Sequence, residues 1–187
     1  IALESDEILV YSGKWRKHGH GSHLPIIKTQ SIVDMPAKDM AELLLDSSRV
    51  TIYNKMSLGR KDVRIMQLGI DTQGSFGHGE TKIVRNLTQP PITKKQMLAV
   101  TMMHGRKLLP EDGVSGEGYI VVSRAVPDRS EDSGEFSISE ILLGVNILQQ
   151  MENPNQCLVT AVTHIQPPAL PAIVASRVRV SSALNFV

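Results

Sequence analysis

The 187 residues suit one domain, and twenty Lys and Arg against nineteen Asp and Glu leave a net charge of +1. So even a balance excludes the basic field of a nucleic-acid binder and the acidic tract of a disordered tail. Aromatics at 4% offer no stacking platform for single strands, and a single cysteine excludes an internal disulfide and suits a reducing compartment.

Residues Asp6 to Arg16 and Leu24 to Val33 alternate well enough to be strands, joined by the loop KHGHGSH. Met35-Pro36 then opens a helix, because proline is tolerated in a first turn. Met40, Leu43 and Leu44 share its apolar face, and Asp46-Ser47-Ser48 ends it. Val50 to Met56 is a short irregular or helical piece. A meander follows, with strands in DVRIMQLGID, ETKIVRNL, MLAVTMMHGR, GYIVVSRAV, FSISEILLGVNIL and CLVTAVTHI. Glycine- and proline-bearing turns separate them at hairpin spacing.

The C-terminal stretch is the most apolar. After the proline corner at Gln166, Leu170, Ile173, Val174 and Val178 recur at mostly three- and four-residue steps, the period of a helix with one buried stripe. A long helix this apolar must lie on something, and most of what precedes it is strand. The expected class is therefore α+β, an antiparallel sheet with helices before and after its meander. The helix either completes a solid core or roofs a cavity. Eight methionines supply pliable apolar surface for either arrangement.

No apolar run reaches the length of a membrane span. Opening on Ile1, the chain reads as a fragment whose targeting signal or flanking domains lie upstream. Cys157 falls in an apolar strand and reads as an inert core thiol. His18, His20 and His23 are metal-ligand types, but their loop is glycine-rich and lacks a nearby carboxylate or thiolate. It reads as a mobile hairpin tip, with no metal or cofactor site. GSFGHGE lacks the Lys-Ser/Thr and strand-to-helix context of a phosphate-cradling loop. His104 and His164 read as core or edge histidines, not general bases.

Several stretches, in order, resemble a START domain, the lipid-transfer module related to steroidogenic acute regulatory protein. They are AELLLDSSRVTIYNKMSLGRKDVRIM, TQPPITKKQMLAVTMMHGR, SGEGYIVVSRAVPDR, SISEILLGVNILQ and CLVTAVTHIQPPALPAIVASRV. The likeness runs from about Leu24 to Val187. It implies a helix-grip fold, a curved antiparallel sheet wrapped around the long C-terminal helix and enclosing a tunnel for one lipid. The helix that usually precedes the family's first strand is lacking here or lies upstream.

The resemblance also implies site residues. Asp62 matches the family's tunnel acid, while the position of its arginine partner is Thr101. Either Arg64, two residues from Asp62 and so on the same strand face, substitutes for it, or the tunnel lacks a fixed cation. Strand alternation nominates as lining Met66, then Ala99, Thr101 and Met103, then Tyr119, Val121 and Ser123, then Ile141, Leu143 and Val145. Leu170, Ile173, Val174 and Val178 of the last helix complete the wall. Thr101, Ser123, Tyr119 and Arg64 are the polar groups placed to meet a head group. The polar loop Pro127 to Glu135 is the expected gate, with Arg177 and Arg179 touching anionic lipid heads during docking.

The expected function is thus a non-enzymatic module, cytoplasmic and peripheral to membranes, that carries one phospholipid, sterol or sphingolipid without contacting nucleic acid. Two alternatives stand beside it. One is a cyclase-like enzyme of a related helix-grip fold, with Asp62, Arg64, Tyr119 and His164 as acids and bases. The other is a lipid-responsive regulatory unit of a larger protein.

Overall fold

In the computed structural model of the chain, the described residues are 7–16, 18–89, 95–113, 115–126 and 136–166. The expected C-terminal helix, with Leu170, Ile173, Val174 and Val178, and the expected gate at Pro127 to Glu135 lie outside them. Two strands come first, β1 (Ile8–Lys14) and β2 (Pro25–Val33), followed by the helices α1 (Ala37–Leu45) and α2 (Val50–Tyr53). The long strand β3 (Ser57–Gln67) leads to a small hairpin, β4 (Gln73–Gly74) and β5 (Gly77–His78). The meander continues through β6 (Glu80–Thr88), β7 (Met97–Lys107), β8 (Gly118–Ala125), β9 (Ser137–Ile138), β10 (Glu140–Gln150) and β11 (Cys157–Gln166). The sequence places every long strand. It starts β3 late, at Asp62, because Ser57 to Lys61 carries no apolar alternation.

The long strands form one sheet in the order β1-β2-β11-β10-β8-β7-β6-β3, each pair antiparallel, with β9 pairing parallel to the start of β7. Hairpins supply most neighbours. The β11–β2 pair is the long-range closure, bringing Cys157 opposite Val33 and Thr163 opposite Ile27.

Helix α1 forms where the pattern demands it. Pro36 caps its start, its carbonyl accepting from Met40 N at 3.0 Å, and Ala37, Met40, Ala41 and Leu44 fall on one side at helical spacing. All are buried, together with Leu43 and Leu45. They pack with Val84, Met103, Tyr119, Val121, Leu148, Cys157 and Val159 of the sheet into one apolar core. Each such leucine contributes roughly 2 kcal/mol by leaving water.

Two sheet residues set the helix's seat. Ala37 N, one of the helix's free N–H groups, donates to Oε1 of Gln150 at 2.9 Å. At the other end, a Cβ on Gly105 would lie 2.7 Å from Leu45 Cδ1, so the absence of a side chain there lets Leu45 rest directly on β7. Gln150 Nε2 also donates to the carbonyl of Gln156 at 2.8 Å, which ties the β10–β11 turn to the same support.

Cys157 is fully buried in this core, and burial pushes its thiol up to about 11. The native thiol is expected to resist a disulfide reagent at neutral pH and to react once the chain is unfolded. Leu148→Ala, truncating a side chain with no exposed surface, should cost about 3 kcal/mol in denaturant unfolding.

Candidate functional site

Because β7, β8 and β10 are in regular register, the face each residue occupies can be traced from α1. Gly105 meets Leu45, so Met103, Thr101 and Ala99 on alternate positions of β7 share the helix-bearing face. Met103 pairs with Ser123, which pairs with Gly144, which pairs with Thr163. Tyr119, Val121 and Ser123 are therefore on this face too. Leu148, Asn146 and Gly144 continue it on β10, and a Cβ on Gly144 would lie 2.3 Å from Ser123 Oγ.

On β10 the nominated residues divide between the two faces. Val145 pairs with Val122, which points away from α1, so Val145 and Leu143 lie on the opposite face from Tyr119 and Val121. The shift between Ile141 and Leu143 leaves Ile141 opposite Ile165, on the helix-bearing side. Alternation favours the other face, because Leu143, Val145 and Ile147 lie away from α1 while Gly144, Asn146 and Leu148 face it.

The placing of Arg64 is a correction. Asp62 pairs with Val84, but Arg64 pairs with Ile83, the ladder slipping by one between them. Adjacent residues of β6 face opposite ways, so this bulge puts exposed Arg64 across the sheet from Asp62. The cation beside Asp62 is Lys82 instead. Its ammonium, 4% exposed, lies 3.3 Å from Asp62 and 3.0 Å from Glu80. Sequence reading passed over Lys82, although a lysine between Thr81 and Ile83 in an apolar strand was its signal.

Asp62 also accepts a hydrogen bond from Ser47 Oγ in the turn after α1. Arg60 donates there as well, through Nε to Ser47 Oγ at 2.9 Å. Its other donors reach Tyr53 Oη and the Leu44 carbonyl, each at 2.8 Å. Asp62 thus belongs to a polar clamp that holds the α1–α2 turn on β3 and β6. Tyr53 is buried, and burial raises its hydroxyl above the ordinary range, so it remains a donor.

The other nominated residues are spread over both faces. Met103, Tyr119 and Val121 are buried in the core beneath α1. The Tyr119 hydroxyl donates to Glu117 at 3.0 Å and is held above its usual pKa, first by burial and then by that carboxylate. Met66 is half-buried near the end of β3, while Ala99 and Ser123 are half-buried beyond the core. Thr101 is 3% exposed, and its hydroxyl makes no hydrogen bond. Asp62, Arg64, Tyr119 and His164 do not converge: Asp62 and Tyr119 lie on the helix-bearing face, Arg64 and His164 on the other.

A cavity of about 660 Å³ opens at the corner where β8 ends and β10 begins. Leu98, Val100, Val126, Ile138, Ile141, Leu142 and Leu143 supply apolar wall, with Trp15, His20, Arg124, Glu140 and His164 at its polar points. Of the nominated lining residues among those described, Ile141 and Leu143 reach it. The histidine-rich loop, expected as a mobile tip, is docked along this rim. His20 meets Glu140 at 2.6 Å, His164 bonds the Gly21 carbonyl at 3.0 Å, and Trp15 stacks on His164 at 5.6 Å. Among the described residues, no three His, Cys, Asp or Glu side chains converge to hold a metal, and no helix is long and apolar enough to cross a membrane.

The sheet order and the position of α1 define an α+β helix-grip fold, the fold of START lipid-transfer domains. The lipid transfer and protein localization domain of human StarD13 superposes with a TM-score of 0.72 at 12% identity, covering 100% of this chain and 87% of that one. Human StAR-related lipid transfer protein 5 gives 0.69 at 13% identity over 100% and 81%. A STAR-related lipid transfer protein from Xanthomonas axonopodis gives 0.68 at 15% identity over 99% and 92%. No family model and no curated protein sequence matches the chain.

Lys82→Met should destabilise the chain by about 3 kcal/mol, because it leaves Glu80 and Asp62 facing each other without their shared cation. Equilibrium urea unfolding measures it. His104 gives a pH dependence. Burial, then the Arg106 guanidinium, lowers its pKa, while its Nδ1 lies 2.8 Å from Thr81 Oγ1. The unfolded chain therefore takes up this proton first. The contribution is present above the unfolded value of about 6.5 and is lost as pH falls below it. Melting temperature should drop from pH 7 to pH 5, and His104→Gln should flatten part of that drop.

Proposed function

We propose that the chain is a single START-like domain that binds one lipid molecule and transfers or senses it. The observation that carries this reading is the superposition of the whole chain on START lipid-transfer domains at TM-scores of 0.68 to 0.72. Such similarity at so low an identity speaks for the architecture, and the reading of function rests on what that architecture leaves open. Supporting it, a cavity of about 660 Å³ opens where β8 ends and β10 begins, on the face of the sheet that Leu98, Val100, Leu143 and His164 share, away from α1. That volume lies in the range of small-molecule sites, which combine apolar walls with a few polar groups.

In this reading Ile141 and Leu143 contact the lipid body together with Leu98, Val100 and Leu142, while Met103, Tyr119 and Val121 belong to the core under α1. Affinity comes mainly from apolar burial at about 25 cal/mol per Å². The chemistry is binding, without a covalent step, and exchange takes place during transient contact with a membrane surface in the cytoplasm.

Native mass spectrometry of the purified chain, followed by extraction, tests the proposal. One lipid mass per chain, removed by solvent and restored by incubation with vesicles, is expected. A chain that emerges empty and takes up nothing from a total lipid extract would sink the reading.

A further inference from the structure

We infer that the sheet edge at β3 docks on a bilayer surface that carries anionic headgroups. This rests on the lipid-binding reading above and gives its transient membrane contact a place in the fold. Among the described residues β3 ends the sheet, with β6 on one side and no strand on the other. Leu58, Val63, Ile65 and Leu68 along it are each more than half exposed, as are Ile52 on α2 and Phe76 in the β4–β5 hairpin. Every described large apolar side chain exposed to that degree lies in this stretch. Single apolar residues scattered over a surface are ordinary, but a row of them along one edge marks a contact surface.

The edge is shaped against the addition of another strand. Its ladder with β6 shifts at three places, leaving Leu58, Val63 and Met66 as extra residues with no partner across the ladder. Such bulges turn an edge away from strand pairing. Two of these three positions nevertheless carry exposed apolar side chains, Leu58 and Val63. The far end of the edge is braced. Gln67 Nε2 donates to the carbonyls of Gly77 at 2.8 Å and Gly79 at 2.5 Å, and its Oε1 accepts from Phe76 N at 3.3 Å. The hairpin thus holds Phe76 at the end of β3, beside the residue that precedes Leu68.

Charge selects the occupant. From Arg49 to Leu68 the chain carries five basic residues and one acidic, although its net charge is +1 overall. The single acid, Asp62, is engaged by Ser47 and Lys82, and Arg60 is held in the same clamp. Arg49, Lys55, Lys61 and Arg64 are exposed. Cations interleaved with apolar side chains match an anionic bilayer interface, where phosphates meet the cations and apolar groups enter the acyl boundary. A second copy docked across a two-fold axis would instead bring these like charges together. The strand itself stays at headgroup depth, where water reaches its outer amides, because an open sheet edge is not tolerated in hydrocarbon.

The test is sedimentation of the full chain with vesicles of phosphatidylcholine and phosphatidylserine, against vesicles of phosphatidylcholine alone. Binding should favour the mixed vesicles and fall with added salt. Lys61→Gln combined with Arg64→Gln should weaken it about 25-fold, near fivefold per cation. Val63→Ser combined with Leu68→Ser should weaken it about tenfold, through lost apolar insertion. These side chains are exposed, so each pair should move the melting temperature by less than about 2 °C. Lys14→Gln combined with Lys28→Gln removes the same charge at the opposite end of the sheet and should leave binding within about twofold. Equal binding to the two vesicle types, or equal loss in the two lysine-bearing pairs, overturns the inference. A dimer in solution that Val63→Ser with Leu68→Ser dissociates assigns the edge to a second copy and overturns it as well. Lipid uptake is read separately by native mass spectrometry. Uptake that persists while vesicle binding ignores the β3 variants overturns this inference alone, and uptake of no lipid at all overturns the lipid-binding reading on which it rests.

Discussion

The seat of α1 on the sheet is the constraint on which the rest depends. Leu45 over Gly105 at one end and the Ala37 amide on Gln150 at the other fix where the helix lies. Once it is there, one face of the sheet becomes core, and alternation along each strand assigns every other side chain to that face or its opposite. The same placement puts the turn after α1 over β3 and β6, where Arg60 takes the Leu44 carbonyl and Ser47 reaches Asp62. Helix and clamp are consequences of one packing decision.

The helix also divides its face in two. Under it stand large side chains, Tyr119, Leu148 and Met103, packed to exclusion of water. Beyond it the strand positions shrink to Ala99, Thr101, Ser123 and Gly144. Gly144 shows how tight the design is, because the Ser123 hydroxyl occupies the space a methyl group would need there.

Charge on the helix-bearing face is gathered into the clamp around Asp62. Lys82 is buried, but Asp62 and Glu80 neutralise it within the clamp, and Arg64 is carried to the other face by a one-residue slip of the β3–β6 ladder. A bulge therefore changes chemistry as well as shape, turning two acid-base neighbours in sequence into residues on opposite sides of a sheet. At the corner cavity, by contrast, His20, Glu140 and Arg124 line the rim. The histidine-rich loop is bound there by groups distant in sequence, Glu140 and His164, which local reading of its glycines had no means to anticipate.

Much was legible before any coordinates. Apolar alternation marked the long strands, Pro36 and the Met40–Leu44 spacing marked α1, and the order of motifs pointed to the helix-grip class, because each of these signals is local or repeats along the chain. Thr101 was singled out from its strand position, and its lack of a partner became visible only with its neighbours in place. What the tertiary structure alone decided was facing and pairing. Register across β8 and β10 put Leu143 and Val145 opposite Val121, the bulge at Asp62 and Arg64 separated an expected pair, and Lys82 emerged as the cation beside Asp62. These outcomes depend on which residue stands across the ladder, a relation between distant segments that composition and periodicity do not encode.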